Sequence, residues 1–100
     1  MEERYPFIAV YILASRRHGT LYVGVTSDLI TRMNQHRDGA FEGFTKRYGV
    51  TRLVWFERFD LMTDAIRREK QLKKYRRDWK INLIERDNRE WEDLFPGLLR

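Results

Sequence analysis

The chain of 100 residues contains no cysteine. Disulfides, thiolate metal sites and cysteine nucleophiles are thereby excluded, and a reducing, cytoplasmic setting is the expectation. Long apolar runs are missing as well. The longest, residues 7–14, covers eight positions, far short of a membrane span, so no membrane partner is expected. The start, Met1-Glu2-Glu3, is acidic and has no apolar h-region, which argues against a secretory signal. No internal repeat, linker or low-complexity segment interrupts the chain. A length of 100 residues with 42% hydrophobic content suits one domain with a modest core. We expect residues 1–100 to form it, with a motif core over about 6–85 and a helical tail over about 86–100.

Charge is present in quantity and unevenly placed. The formal net charge is +5, yet the segment 67–80 alone carries eight basic residues against two acids. The tail 81–100 reverses the sign, with three basic and five acidic residues. A localised basic stripe is the electrostatic footprint of a nucleic-acid partner, set against the plainer reading of a solvated helix face.

Residues 7–13 form a continuous apolar run rich in strand formers, which predicts a central strand covered on both faces. Residues 16–19 read as a turn. Leu21, Val23 and Val25 then alternate with Thr20, Tyr22 and Gly24, the period of a second strand. A four-residue loop, with Ala14 opposite Gly19, would set Tyr11 directly across from Tyr22. Asp28 is a candidate cap for a helix to about Arg37, stopped by Asp38-Gly39. A short helix or ordered loop is expected over 41–48, and a third strand over 53–56. A long helix, capped by Thr63 or Asp64, should run to about Tyr75. Another should cover 77–86, and a last turn 90–94 should end at Pro96-Gly97. Three strands with helices laid over them make a small α/β (α+β) domain.

Some residues break the pattern of their own element. Each tyrosine of the hairpin would bury a phenol, which must then find a hydrogen-bond partner. On the first helix, Leu29, Ile30 and Met33 make an apolar face that His36 shares, with Arg32 at its edge. Guanidinium is suited to bidentate phosphate binding. On the long helix, Glu69 lies between Ala65, Ile66 and Leu72 and should turn toward the sheet. A carboxylate so placed is costly unless it is paired, with Arg32 as the obvious partner, or binds a metal. The neighbouring cations Arg67, Arg68, Lys70, Lys73 and Lys74 all have easier routes to solvent.

Tyr11 within Val-Tyr-Ile, Tyr22 within Tyr-Val-Gly, Arg32 on the next helix and Glu69 on a later one resemble, in that order, the signature of GIY-YIG nucleases. The stretches 21–29, 43–49 and 68–70 are similar to the small stand-alone single-domain branch, often described as excision-repair-endonuclease-like. Val10 stands where the name-giving motif has glycine; it lies in a strand and contributes mainly backbone.

The resemblance implies a three-stranded antiparallel sheet with flanking helices, and an endonuclease that hydrolyses phosphodiesters with one divalent ion, in DNA repair or processing. Glu69 would hold Mg²⁺ or Mn²⁺, hard cations that favour oxygen ligands. Arg32 would offset charge on the phosphate in the transition state. Tyr11 or Tyr22 would orient or deprotonate the attacking water, the other phenol positioning water or phosphate, and His36 would assist proton transfer or hydrogen-bond the site. Lys46, Arg47, Arg68, Lys70, Lys73, Lys74, Arg76, Arg77 and Lys80 would grip the backbone of a nucleic acid, DNA rather than RNA, with affinity that is salt-sensitive and largely independent of sequence. A lone domain of this kind is expected to be structure-selective or non-specific, to act as a monomer or weak homodimer, and to be open to a recruiting protein. Two other readings are a nucleic-acid-binding module with weak or no catalysis, and an interaction domain docking through the acidic residues 85–93.

Overall fold

The computed structural model describes residues 7–38 and 47–99. Three antiparallel strands, β1 (Ala9–Ala14), β2 (Leu21–Thr26) and β3 (Arg52–Arg58), form one sheet in the order β2-β1-β3. The helices are α1 (Leu29–Arg37), α2 (Met62–Lys73), α3 (Arg77–Asp87) and a single turn, α4 (Phe95–Leu98). The all-apolar composition of β1 explains its central place: all six of its residues are buried, because both of its faces are roofed. Val10, Ile12 and Ala14 pack with Ala65 of α2, Ile84 of α3 and Trp91. Ala9, Tyr11 and Leu13 pack on the other face with Leu29 and Met33 of α1 and Phe95 of α4.

The hairpin register differs from the expected one. Ala14 pairs with Leu21, so Tyr11 lies opposite Gly24 and Leu13 opposite Tyr22. The connection is six residues long, 15–20, and is closed by Ser15 N–H donating to the Thr20 carbonyl at 3.0 Å and Thr20 N–H to Ser15 Oγ at 3.0 Å. Those two bonds satisfy backbone groups that a four-residue loop would have placed in the ladder. Tyr11 and Tyr22 are therefore diagonal neighbours on one face rather than directly opposed.

β3 contains a β-bulge. The register shifts between Ile12 and Leu13, with Trp55 opposite Ile12 and Leu53 opposite Leu13. Val54 is the extra residue, so Val54 and Trp55 both face the α2–α3 side, while Leu53 and Phe56 face α1. Asn88 completes the bulge: its Nδ2 donates to the Val54 carbonyl at 3.0 Å and to the Glu92 carbonyl at 2.9 Å, and its Oδ1 accepts from Glu92 N–H at 3.0 Å.

Asp28 caps α1, accepting from the Thr31 N–H and hydroxyl. The start of α2 is earlier than expected, at Leu61 with no side-chain cap, and the helix ends at Lys73 rather than near Tyr75. The last helical turn is at Phe95–Leu98 and includes Pro96 and Gly97, which were expected to end a turn over 90–94. Pro96 fits there because the first helical N–H groups need no intrahelical partner. The helix or loop expected over 41–48 lies largely outside the described residues; Gly49 closes it in the left-handed region at φ 63°.

Candidate active site

Tyr11, at 1% exposure, is the centre of a polar cluster. Its side chain lies across Gly24: a Cβ at that position would sit 2.4 Å from the Tyr11 hydroxyl. Glycine in a strand interior is one sequence signal of such a close approach, and it is the one signal by which Gly24 could have been assigned to the site. The ring of Tyr11 lies 6.4 Å from that of Tyr22 and 6.1 Å from that of His36, and Tyr22 and His36 are 6.0 Å apart, centroid to centroid. His36 reaches this triangle because Leu29, Met33 and His36 repeat at helical spacing and all three are buried against the sheet.

Tyr11 Oη is 3.4 Å from His36 Nε2, a long hydrogen bond. Burial pushes the Tyr11 hydroxyl above its ordinary range, and the neighbouring Tyr22 pushes it further; Arg32, which also hydrogen-bonds it, pulls the other way, and Glu69 adds a small upward push. His36 is held below its usual value by burial and by the nearby Arg32 charge, so its neutral form is favoured. In the tautomer protonated on Nδ1, Nε2 is the acceptor of the Tyr11 hydroxyl.

Glu69 approaches from the other sheet face. Ala65 and Leu72 of α2 are buried, and Glu69 between them has a side chain only 14% exposed. Ile66, expected on the same face, is 38% exposed. Among the described residues the ion-pair partner of Glu69 is Lys73, Nζ to Oε2 at 2.8 Å, and not Arg32. The expectation failed because Arg32 sits on α1 across the sheet, occupied with Tyr11, whereas Lys73 is one turn along the same helix.

The structure thus brings Tyr11, Tyr22 and His36 together with Arg32 hydrogen-bonded to Tyr11, while Glu69 lies near enough for its charge to act on Tyr11. Glu69 is an oxygen donor of the kind a hard cation takes while keeping most of its waters, and the Lys73 ammonium already occupies a cation position on it. No cluster of three or more His, Asp or Glu exists among the described residues, so the remaining ligands would be water and substrate.

The cations of segment 67–80 divide into two sets. Arg68 is not free toward solvent as expected: it is half-buried, bonded to Glu57 at 3.0 Å, to Gln71 and to Tyr75, with its guanidinium over Trp55. Arg77 ties down the hairpin loop, donating to the carbonyls of His18 and Gly19 at 2.7 Å each. Arg76 pairs with Asp78 at 3.2 Å and covers the exposed Trp79 ring. Lys70 and Lys74 are exposed. Lys73 and Lys80 line a pocket of about 240 Å³ with Leu21, Tyr22 and Val23. Arg47 is exposed with its guanidinium over Tyr48, and Lys46 lies outside the described residues.

Residues 7–82 match the GIY-YIG catalytic domain. A UPF0213 protein of Staphylococcus saprophyticus is 33% identical over 75 residues, 75% of this chain and 90% of that protein. A UPF0213 protein of Clostridium perfringens is 37% identical over 75 residues, 75% of this chain and 80% of that protein. The solution NMR structure of a UPF0213 protein from Bacillus halodurans superposes with a TM-score of 0.55 at 30% identity, covering 87% of this chain and 92% of that one.

Proposed function

The chain belongs to the GIY-YIG family, and from that premise we propose that it is a one-metal endonuclease acting on DNA with little regard to sequence. The observation that carries the reading is the triangle of Tyr11, Tyr22 and His36 rings, each about 6 Å from the others, with Arg32 hydrogen-bonded to Tyr11 and the Glu69 charge acting on it. A core of this size has no packing need for two phenols, an imidazole, a guanidinium and a carboxylate in one place, since each must be desolvated.

Glu69 would hold Mg²⁺ or Mn²⁺, and the ion, when bound, would supply charge stabilisation at the phosphate and the leaving oxygen. Arg32 lies beside Tyr11 and offsets negative charge building on the phosphate. Tyr11 is too weakly acidic in its buried place to stand as a phenolate at neutral pH. It acts instead in concert with His36: as a water attacks phosphorus, its proton passes to Tyr11 Oη and the Tyr11 proton passes to His36 Nε2. The water oxygen bonds to phosphorus, the bond to the leaving ester oxygen breaks, and no free phenolate is formed. The 3.4 Å hydrogen bond tightens when substrate is bound. Tyr22, less buried than Tyr11, positions the phosphate. The exposed lysines of α2 and Lys80 supply backbone affinity, with the salt dependence that phosphate contacts carry.

Nicking of supercoiled plasmid by wild type and Glu69→Ala, with Mg²⁺, Mn²⁺ or EDTA, tests the reading. Metal-dependent nicking by wild type is expected, with nicking lost and DNA binding retained in Glu69→Ala. Binding without cleavage by either protein, on plasmid and on branched substrates alike, would leave only the binding-module reading.

A further inference from the structure

Lys73 belongs to two places at once. Its ammonium is 2.8 Å from Glu69, and its side chain lines the pocket that Lys80 and Tyr22 share. Tyr22 is also a corner of the polar triangle; Leu21 and Val23 of the pocket lie on the α2–α3 side of the sheet and Tyr22 packs on the α1 side, so the pocket sits across the β2 edge from that triangle. Lys80 reaches the pocket from α3, is half-buried, and pairs with no carboxylate among the described residues, whereas Arg67, Arg68 and Arg76 each have one. A half-buried ammonium facing an open pocket without a counter-ion calls for an anion. A second ammonium, tethered four residues from the site carboxylate by a flexible stem, can join it only by leaving Glu69.

We propose that Lys73 is an exchangeable counter-cation: it neutralises Glu69 until a divalent ion binds there, and then joins Lys80 in the pocket beside Tyr22 to hold a backbone phosphate across the strand edge from the one being cut. The inference rests on the reading of Glu69 as the cation ligand. Its physical basis is simple. A divalent ion on Glu69 and an ammonium at 2.8 Å cannot coexist without strong repulsion, and the Lys73 end of the i,i+4 pair is 56% exposed, so its ammonium can leave the carboxylate into solvent. Metal and nucleic acid therefore bind cooperatively, each favouring the Lys73 position that suits the other.

Two measurements on wild type, Lys73→Met and Lys80→Met test this, and neither depends on turnover. Mn²⁺ binding to the protein alone, by calorimetry, should be about fivefold tighter or more in Lys73→Met and unchanged in Lys80→Met. The affinity of a short DNA duplex is then followed against salt, once in EDTA and once with a fixed concentration of Ca²⁺. Lys80→Met should lower the salt slope by about one unit in both conditions, whereas Lys73→Met should lower it by about one only with Ca²⁺. Unchanged Mn²⁺ affinity in Lys73→Met, or a slope equally reduced in both conditions, overturns the exchange while leaving metal-dependent nicking intact. Absence of Mn²⁺ binding by all three proteins overturns the exchange and the nuclease reading together. Displacement of the duplex by millimolar inorganic phosphate from wild type, but not from Lys80→Met, would reassign the pocket to free phosphate.

Discussion

The two outer strands of the sheet have opposite surroundings. Along β3 the chain covers its own edge: Leu94 N–H donates to the Leu53 carbonyl at 2.8 Å, and Asp93 accepts from Leu53 N–H at 3.3 Å and from Phe95 N–H at 3.1 Å. Asn88 takes the bulge carbonyl, Arg52 donates to the Trp91 carbonyl at 3.2 Å, and Arg37 pairs with Asp93. Beside β2 lies instead a pocket of about 240 Å³ lined by Leu21, Tyr22 and Val23 of the strand and by Lys73 and Lys80. An edge strand needs partners for its polar groups or a means of refusing them. Here the β3 side is closed by the chain itself and the β2 side is open, which on the proposed function separates the residues that hold the fold from those that would meet a substrate.

The sharpest way to break this contrast is one methyl group on each side. Gly24→Ala places a Cβ 2.4 Å from the Tyr11 hydroxyl and ring carbon, so Tyr11 must leave its position; plasmid nicking should fall about 100-fold or more. Gly97→Ala meets nothing within 4 Å and should nick as wild type does.

Asn88→Ala probes the closed side. It strips two carbonyls and one N–H of their partner at an 8% exposed position. Urea denaturation should show a loss of about 2–3 kcal/mol, with nicking per folded molecule unchanged. Equal loss of activity would merge the two sides and end the comparison.

A smaller effect concerns pH. The proposed proton transfer to His36 requires the neutral imidazole, and the His36 value is held below the usual 6.5 by burial and then Arg32. The rate should be level through neutrality and fall only as pH drops through that lowered value, in a profile of kcat/KM against pH. An acid limb at or above 6.5 would exclude His36 as the acceptor.

The smallest effect belongs to the clasp that fastens the hairpin loop to the C-terminal segment. Glu85 accepts from the Trp91 indole at 2.7 Å and contacts His18 Nε2 at 2.8 Å, and these two contacts hold its carboxyl below the ordinary 4.5, the indole bond first. A carboxyl lowered on folding contributes stability above its unfolded value and loses it as pH falls through the folded one. The Tm of wild type should therefore drop faster than that of Glu85→Gln as pH is taken below 4.5.

Much of this was legible locally. His36 and Glu69 were placed by counting along their helices, because 3.6-residue periodicity is a property of each helix alone. The central position of β1 followed from its unbroken apolar run. Two features were not legible. The bulge at Val54 leaves no mark in Leu53-Val54-Trp55-Phe56, which reads as an ordinary strand; only the pairing with β1 and the carboxamide of Asn88 give it a place. Arg68 and Lys73 look alike as members of a basic stripe, yet one is engaged by Glu57 and Tyr75 while the other neutralises Glu69. That difference depends on which elements lie alongside.

The sequence by itself determined three strands, the three longer helices over them and the faces of His36 and Glu69 on their helices, since these follow from short-range periodicity. Tertiary structure decided the register that lays Tyr11 over Gly24, and the approach of Arg32 and His36 of α1 to Tyr11. Those depend on contacts between residues far apart in the chain, where hydrogen bonds closing a six-residue loop and the bulk of a buried phenol outweigh any local preference.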